Sequence, residues 1–311
     1  MTLDISLRID SVAIKTKIID FIRAKLKQRS INGLVIIFSD CVESLINVQL
    51  AKEIVGNENI KLIVTKGRFI YKAPKEKMSV SEINRFINLP KENIVFVNKE
   101  GALKEIRKAF FDKETRFYDT SPLLNFNLSY ILLKSMAAKE IEEKTFIDSM
   151  KDPLSPRESF IQKTIAYHKA QIRLGNLLAF LLAETENKSV IGSTNKTEWL
   201  LGFFTKFGTY HASDFLPLAD LYRTQVVQLA EHLGFREYLT KKEFKKPSAY
   251  SFFFGLNSEE IDPILIRLES GFSFQEIAQE TELPLDTIKK VNYYYQTSDY
   301  ARSVPFIPKI M

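Results

Sequence analysis

An uninterrupted apolar run, Leu-Val-Ile-Ile-Phe at residues 34–38, restricts the fold more than any other feature of the sequence. A strand with one face in water alternates apolar and polar residues, whereas a strand buried on both faces does not, and such strands occur in parallel sheets covered by helices. Shorter strand-like runs follow at Lys61–Val64 and Asn93–Val97, with helical spacing between them. The pattern predicts an α/β protein with a doubly wound, mainly parallel sheet.

The spacing of apolar residues also predicts the helices. The expected helical ranges are 10–29, 44–55, 79–87, 102–111, 156–184, 259–269, 274–280 and 285–295, with a further short strand at 189–192. Neither an internal repeat nor a low-complexity stretch divides the chain. We therefore expect one domain, residues 1–311, with an α/β core at 1–255 and a helical C-terminal extension at 256–311.

Charge and cysteine content restrict the class of protein. The net charge of +6 suits an anionic ligand such as a nucleotide, but the basic residues are dispersed, which is typical of solvated surface. The single cysteine, Cys41, excludes an internal disulfide framework and fits a reducing compartment. Charged residues occur throughout the first 30 positions, and the longest apolar stretches are too short to cross a bilayer. We expect a soluble, cytoplasmic protein without a signal peptide.

Ligands of open α/β sheets bind beyond the carboxyl ends of the strands. The turn after the first predicted strand reads Ser-Asp-Cys-Val-Glu-Ser at residues 39–44. Backbone N–H groups at this place can hold phosphate. This turn contains no glycine, however, and Asp40 adds a negative charge. The residues alone therefore favour an ordinary strand-to-helix turn.

A series of separated motifs gives a more specific signal. The motifs, in chain order, are Val190–Glu198, Leu201–Gly208, Asp214–Leu218, Leu221–Val226, Lys246–Ala249 and Ser298–Pro305. Their order and content resemble the NAD synthetase family, and in particular its archaeal-type members. The resemblance is closest over residues 163–248 and extends over most of the chain.

This resemblance implies a fold of the adenine nucleotide alpha-hydrolase type, with a pyrophosphatase loop after the first strand. Family members join ammonia to the carboxylate of deamido-NAD after ATP adenylates it, with Mg and ATP as cofactors. The ammonia would be free or supplied by a separate amidotransferase. Members act as homodimers around the long helix, here residues 156–184, with deamido-NAD at the subunit interface. The alternative for this helix is a place in the core of its own subunit.

The resemblance also implies the roles of individual residues. Glu43, Glu198 and Lys246 would be catalytic, the two glutamates as Mg ligands. The ATP site would comprise Ser39, Asp40, Cys41, Ser44, Arg173 and Thr194. The deamido-NAD site would comprise Lys206, Phe207, Asp214 and Lys246.

Several positions depart from the family pattern. Asp40 and Cys41 replace two glycines of the phosphate loop, Glu43 replaces an aspartate, and Gln171 replaces an arginine. Losses in a site whose members act as a unit compound one another. A second hypothesis is therefore an inactive homologue that acts as a nucleotide-binding, regulatory or structural dimer, alone or as a heteromer with an active paralogue. The aromatic segment Tyr250–Phe254 would then be a contact surface, or else pack over the shortened loop.

Other hypotheses start from single features. Residues 274–291 have the spacing of a helix-turn-helix, which would indicate DNA binding, although Lys289 and Lys290 are the only cations on the second helix. Similar helices close the fold in archaeal-type synthetases. Cys41 has no visible base partner, which favours a small buried thiol over a nucleophile. The three histidines lack the spacing of metal ligands.

Overall fold

The computed structural model describes residues 7–38, 41–66, 80–110, 156–208, 211–240 and 254–303. Within these ranges four strands form one parallel sheet in the order β3-β2-β1-β4. Their bounds are β1 Gly33–Phe38, β2 Ile60–Lys66, β3 Ile94–Asn98 and β4 Lys188–Ile191. Ile36 at the centre of β1 pairs with Leu62 and Ile191. The predicted parallel sheet is confirmed, with the uninterrupted apolar run as a central strand.

Over the described ranges, each of the eight predicted helical ranges contains a helix, in the predicted order, and two further helices, Lys196–Leu201 and Arg223–His232, follow β4. In chain order they are α1 Ser11–Arg29, α2 Val42–Val55, α3 Val80–Ile87, α4 Glu100–Phe110, α5 Pro156–Thr185, α6 Lys196–Leu201, α7 Arg223–His232, α8 Ser258–Glu269, α9 Phe274–Thr281 and α10 Leu285–Thr297. Single helical turns occur at Asn57–Asn59, Lys91–Asn93, Arg236–Tyr238 and Asp299–Arg302.

The start of α2 differs from the sequence prediction in a way that matters for the site. This helix begins at Val42, two residues before the predicted start, and Cys41 is its N-cap without a side-chain capping bond. Because a cysteine gives no capping signal, the sequence does not mark this boundary. Glu43 and Ser44 consequently lie in the first turn of α2 rather than in the preceding loop.

Helices cover both faces of the sheet. On one face, α1, α2 and α7 form a core with alternate residues of β1, including Leu34 and Ile36. On the other face, Ala179 and Ala183 of α5 pack against Val35, and against Ile63 and Val190 of the neighbouring strands. This arrangement confirms the doubly wound fold. In the described ranges, no helix combines the length and the apolar character that crossing a membrane requires.

The C-terminal helices α8, α9 and α10 form a second core together with α6. Ile261 and Ile264 of α8, Ile277 of α9 and Val291 of α10 are all fully buried. The hydroxyl of Ser298 donates a hydrogen bond of 2.6 Å to the carbonyl of Leu200 at the end of α6. The predicted helical extension is therefore present, and the two helices of the helix-turn-helix pattern contribute to this core.

Candidate functional site

The candidate site lies at the carboxyl edge of the sheet, where β1 leads into α2 and the adjacent β4 leads into α6. The start of α6 is fixed by a capping box. The side chain of Asn195 accepts a 2.9 Å hydrogen bond from the backbone N–H of Glu198, and the Glu198 carboxylate accepts from the Asn195 N–H at 3.4 Å. These reciprocal bonds set the direction of the Glu198 side chain. Thr194, which precedes the cap, is buried.

The first turns of α2 and α6 are joined by three side chains, which we call the edge cluster: Glu43, Asn195 and Arg223. The Asn195 amide donates to Glu43 Oε1 at 2.9 Å. The guanidinium of Arg223, the first residue of α7, forms an ion pair with the same oxygen. All three residues are buried, and Glu43 is only 3% exposed. The two glutamates that the sequence predicts as metal ligands thus bind the same asparagine.

A second contact fixes the turn after β4 against α2. The amide of the buried Asn47 donates to the carbonyl of Gly192 at 3.0 Å and to Ser193 Oγ at 3.1 Å. Gly192 itself allows a close approach, since a Cβ atom at this position would lie 2.4 Å from Ser213 Oγ. A side chain at position 192 would therefore push away the neighbouring segment that contains Ser213.

A second polar group, the anchor cluster, consists of Thr197, Thr224 and Asp262. Asp262 of α8 is fully buried and accepts from Thr197 Oγ1 at 2.7 Å and from the Thr224 N–H at 2.8 Å. Thr197 Oγ1 in turn accepts from the N–H of Arg223 at 2.8 Å. Burial raises the pKa of Asp262 to about 6, while the hydrogen bonds from the two threonines and the charge of Arg223 oppose this shift.

A third contact ties α6 to the end of α8. Lys196 Nζ lies 3.0 Å from the carboxylate of Glu269 and 4.7 Å from the ring centre of Tyr222. The Tyr222 hydroxyl donates to the same carboxylate. Burial, together with the Glu269 carboxylate, raises the pKa of Tyr222. The C-terminal helices therefore hold the start of α6 at two separate points.

The long helix α5 holds the segment that follows α6. Arg173 donates from Nε and Nη2 to the carbonyl of Lys206, at 3.2 and 2.9 Å. Asn176 donates to the carbonyl of Gly208. Phe207, between them, has a positive φ of 53° and a side chain that is 49% exposed. The structure thus brings Arg173, predicted for the ATP site, next to Lys206 and Phe207, predicted for the deamido-NAD site.

The remaining predicted residues differ in their surroundings. The Asp214 carboxylate accepts a 2.8 Å hydrogen bond from the backbone N–H of Val190, so it is bound to β4. Cys41 Sγ lies 3.4 Å from Ser44 Oγ, and the thiol is partly exposed. Ser39, Asp40 and Lys246 lie outside the described residues. The binding roles of all these residues stay predictions.

Reasoning from the sequence missed Asn195, Arg223 and Asp262. One signal was available for Asn195, because Asn followed three residues later by Glu is a capping-box pattern. Arg223 lies in the quoted motif Leu221–Val226, but nothing local shows that it is buried. Asp262 lies in a helix whose pattern gives no sign of its distant partners.

The donor set decides which carboxylate suits a magnesium ion. Glu43 already has a cationic partner, the guanidinium of Arg223, which would repel a metal ion bound to the same carboxylate. Two like unit charges 4 Å apart repel by about 4 kcal/mol at an effective dielectric constant of 20, and the double charge of magnesium would double this repulsion. Glu198 is half-buried rather than buried, and its carboxylate accepts a long hydrogen bond of 3.4 Å from the backbone N–H of Asn195. In the described ranges, no group of three or more His, Cys, Asp or Glu is placed to hold a metal. Glu198 fits a metal that is bound mainly through nucleotide phosphates, which is a common mode for magnesium, and Glu43 does not.

Fold and site together define a class: a doubly wound α/β protein whose polar site lies between the turns after two adjacent parallel strands, where such proteins bind their ligands. The sequence model of the NAD synthase family matches residues 124–305, which is more than half of the chain. The chain therefore belongs to the NAD synthase family, as the ordered motifs predicted.

Individual relatives agree with this assignment. The NH3-dependent NAD synthetase of Thermotoga neapolitana is 25% identical over 301 residues, which cover 94% of each chain. That of Hyperthermus butylicus is 37% identical over 149 residues, or 45% of this chain and 51% of the relative.

Among solved structures, the NH3-dependent NAD synthetase from Campylobacter jejuni, in complex with nitrate, has a TM-score of 0.63 and 20% identity, with coverage of 97% of this chain and 100% of that one. NMN synthetase from Francisella tularensis has a TM-score of 0.59 and 17% identity over the same shares of the two chains. At these identities the structures show that the fold is shared.

Proposed function

We propose that this protein is an ammonia-dependent ligase that converts deamido-NAD to NAD with the consumption of ATP. The observation that most supports this proposal is the contact, through Asn195, between the first turns of α2 and α6. These are the two turns to which the family resemblance assigns the triphosphate and its metal. The relatives named above supply the substrate, since both are NH3-dependent NAD synthetases.

The proposed reaction has two steps. The nicotinate carboxylate of deamido-NAD attacks the α-phosphorus of ATP, and pyrophosphate leaves. Ammonia then attacks the carbonyl carbon of the adenylate, AMP leaves with one of the former carboxylate oxygens, and the nitrogen loses a proton. The chain must hold the two substrates in line and keep water away from the adenylate.

The residues of the edge provide fixed positions for this task. The N-terminus of α2 offers backbone N–H groups and the positive end of a helix dipole, both of which favour a phosphate group. Glu198, held by the capping box, would bind magnesium together with phosphate oxygens, and the metal would neutralise negative charge on the leaving pyrophosphate. Lys206, Phe207 and Asp214 stay the proposed contacts of deamido-NAD, with Lys246 as the proposed cationic catalytic group.

We also propose that the chain is one domain that acts as a homodimer through the helix at residues 156–184. Two leucines one turn apart on α5, Leu177 and Leu181, are 64% and 60% exposed in the single chain. Adjacent exposed leucines favour an interface. Size-exclusion chromatography with light scattering should give a dimer for the wild type and a monomer for Leu177→Glu/Leu181→Glu. The variant Glu184→Gln, on the same helix, is the control and should stay dimeric.

An assay of NAD formation tests the proposed activity. Purified protein with ammonium, Mg-ATP and deamido-NAD should produce NAD. Glu198→Gln should lower the rate about 100-fold or more, since the loss of even a partner of a metal ligand costs about 10–100-fold. Glu231→Gln, at an exposed position of α7, is the matched control and should leave the rate unchanged. The mononucleotide analogue of deamido-NAD belongs in a parallel reaction because one structural neighbour is an NMN synthetase. A folded protein that forms no amide from either substrate would favour the inactive homologue.

A further inference from the structure

We propose that the guanidinium of Arg223 takes the place of a metal ion beside Glu43. In this arrangement Glu43 is a positioning residue, and Glu198 is the carboxylate through which the chain binds a metal–nucleotide complex. The inference deepens the proposed function, and its metal part rests on that function. It replaces the prediction from the sequence that both glutamates hold magnesium.

The first support is the charge balance of the buried carboxylate. Glu43 Oε1 is bound both by Arg223 and by the Asn195 amide, and all three side chains are buried. A guanidinium stays protonated at every pH that a folded protein tolerates, so its charge is permanent. A buried carboxylate needs a compensating charge, and the chain supplies that charge itself.

The second support is that Arg223 is held from its backbone as well. Its N–H donates to Thr197 Oγ1, whose hydroxyl donates to the buried Asp262. Removing the guanidinium from Glu43 by a rotation of the start of α7 would therefore break the anchor cluster as well. A bound magnesium ion exchanges with solvent, whereas this cation is part of the fold.

The third support is the link from Glu43 to Glu198. The amide nitrogen of Asn195 donates a hydrogen bond to Glu43, and its amide oxygen accepts one from the backbone N–H of Glu198. Glu43 thereby fixes the orientation of the Asn195 amide, which caps α6 and sets the Glu198 side chain. A residue that acts in this way supports the metal ligand without touching the metal.

The decisive experiment replaces the ion pair by two neutral amides. Glutamine at position 43 keeps an acceptor for Asn195, and Glu43→Gln/Arg223→Gln leaves no unpaired charge. Binding of Mn²⁺ with the α,β-methylene analogue of ATP is followed by electron paramagnetic resonance. We expect the affinity of the double variant to stay within about fivefold of the wild type, because the glutamine still orients Asn195. That of Glu198→Gln should fall about 30-fold or more, since the loss of even a partner of a metal ligand costs about 10–100-fold. A loss in the double variant as large as that in Glu198→Gln, with an unchanged Tm, would show that Glu43 is a metal ligand.

A second measurement needs no nucleotide and therefore separates this inference from the proposed function. Thermal unfolding is compared for the wild type, Glu43→Gln, Arg223→Gln and the double variant. Each single variant leaves one buried charge without its partner, so we expect each to lower Tm by about 5 °C or more beyond the double variant. If the two single effects simply add in the double variant, the pair does not exist and the inference is overturned. If the coupling is present but the wild type binds no nucleotide, the proposed function fails while the internal pair stands.

Discussion

The edge cluster and the anchor cluster lie next to each other, and each contains one buried carboxylate, but they balance its charge in different ways. Glu43 is paired with the guanidinium of Arg223. Asp262 instead relies mainly on hydrogen bonds from Thr197 and from the backbone N–H of Thr224, with a smaller contribution from the charge of Arg223. A formal cation compensates a buried charge more fully than dipoles do. The first arrangement gives the carboxylate a permanent counter-charge, and the second one leaves the carboxyl group of Asp262 sensitive to pH.

The largest effect on stability is expected when the cation of the edge cluster, the guanidinium of Arg223, is removed. Arg223→Met leaves the buried Glu43 carboxylate without its ionic partner. Loss of one member of a buried pair costs about 3–5 kcal/mol of the free energy of unfolding, which urea denaturation at neutral pH will measure. A loss below about 1 kcal/mol, the value of an exposed pair, would mean that the edge cluster is solvated in solution.

The pH dependence of Asp262 gives the next largest effect. Its pKa is raised in the folded protein to about 6, from an ordinary value of 3.8. The protonated group therefore contributes stability that is complete below the unfolded pKa and is lost as the pH rises through the folded pKa. Between about pH 4 and pH 7 the wild type should lose about 3 kcal/mol relative to Asp262→Asn, from 1.36 kcal/mol per pKa unit.

The two proteins are compared by urea denaturation across this pH range. The difference between their free energies of unfolding should shrink steadily as the pH rises. A constant difference would mean that the hydrogen bonds hold the pKa of Asp262 at its ordinary value, so that the anchor cluster compensates charge as well as the edge cluster does.

At neutral pH the same substitution measures the hydrogen bonds of the anchor cluster. The amide of Asp262→Asn keeps one acceptor oxygen, for Thr197, but presents an NH2 group to the N–H of Thr224. An unsatisfied buried donor costs about 1–3 kcal/mol, so Tm should fall. Asp262→Glu is not a suitable control, because the longer chain would overpack the site. The change Asp220→Asn, at a fully exposed side chain, serves instead and should leave Tm unaltered.

The smallest effect belongs to an exposed ion pair that serves as a reference for both clusters. Lys15 and Glu53 lie 2.8 Å apart on the surface between α1 and α2. Glu53→Gln should change the free energy of unfolding by less than about 1 kcal/mol, since water and salt screen such pairs. A cost equal to that of Arg223→Met would show that distance rather than burial decides the strength of pairs in this protein.

The sheet and its helices were predictable because the relevant signals are local. The run from Leu34 to Phe38 predicts a buried parallel strand from five consecutive residues, and helical spacing requires one or two turns. Boundaries depend on caps, and Cys41 provides none, so the start of α2 was placed two residues late. The tail helices that form most of the second core are predicted by their apolar spacing, but the packing of this core against α6 is not.

The candidate site was predictable only in part. Glu198 is found through its motif, and its capping box with Asn195 spans three residues. The partners of the two buried carboxylates are distant: 180 positions separate Glu43 from Arg223, and 65 separate Thr197 from Asp262. No periodicity or motif in the sequence predicts these contacts, because they depend on how the turns come together at the edge of the folded sheet.

The central claim, that this protein activates a carboxylate with ATP and transfers it to ammonia, is tested most directly by an isotope. Deamido-NAD with ¹⁸O at both oxygens of its nicotinate carboxylate is incubated with ATP, magnesium and ammonium, and the AMP is analysed by mass spectrometry. Attack on the α-phosphorus predicts one ¹⁸O atom in each AMP molecule, in step with the formation of NAD. AMP without label, or no AMP at all from folded protein, would contradict the proposed reaction.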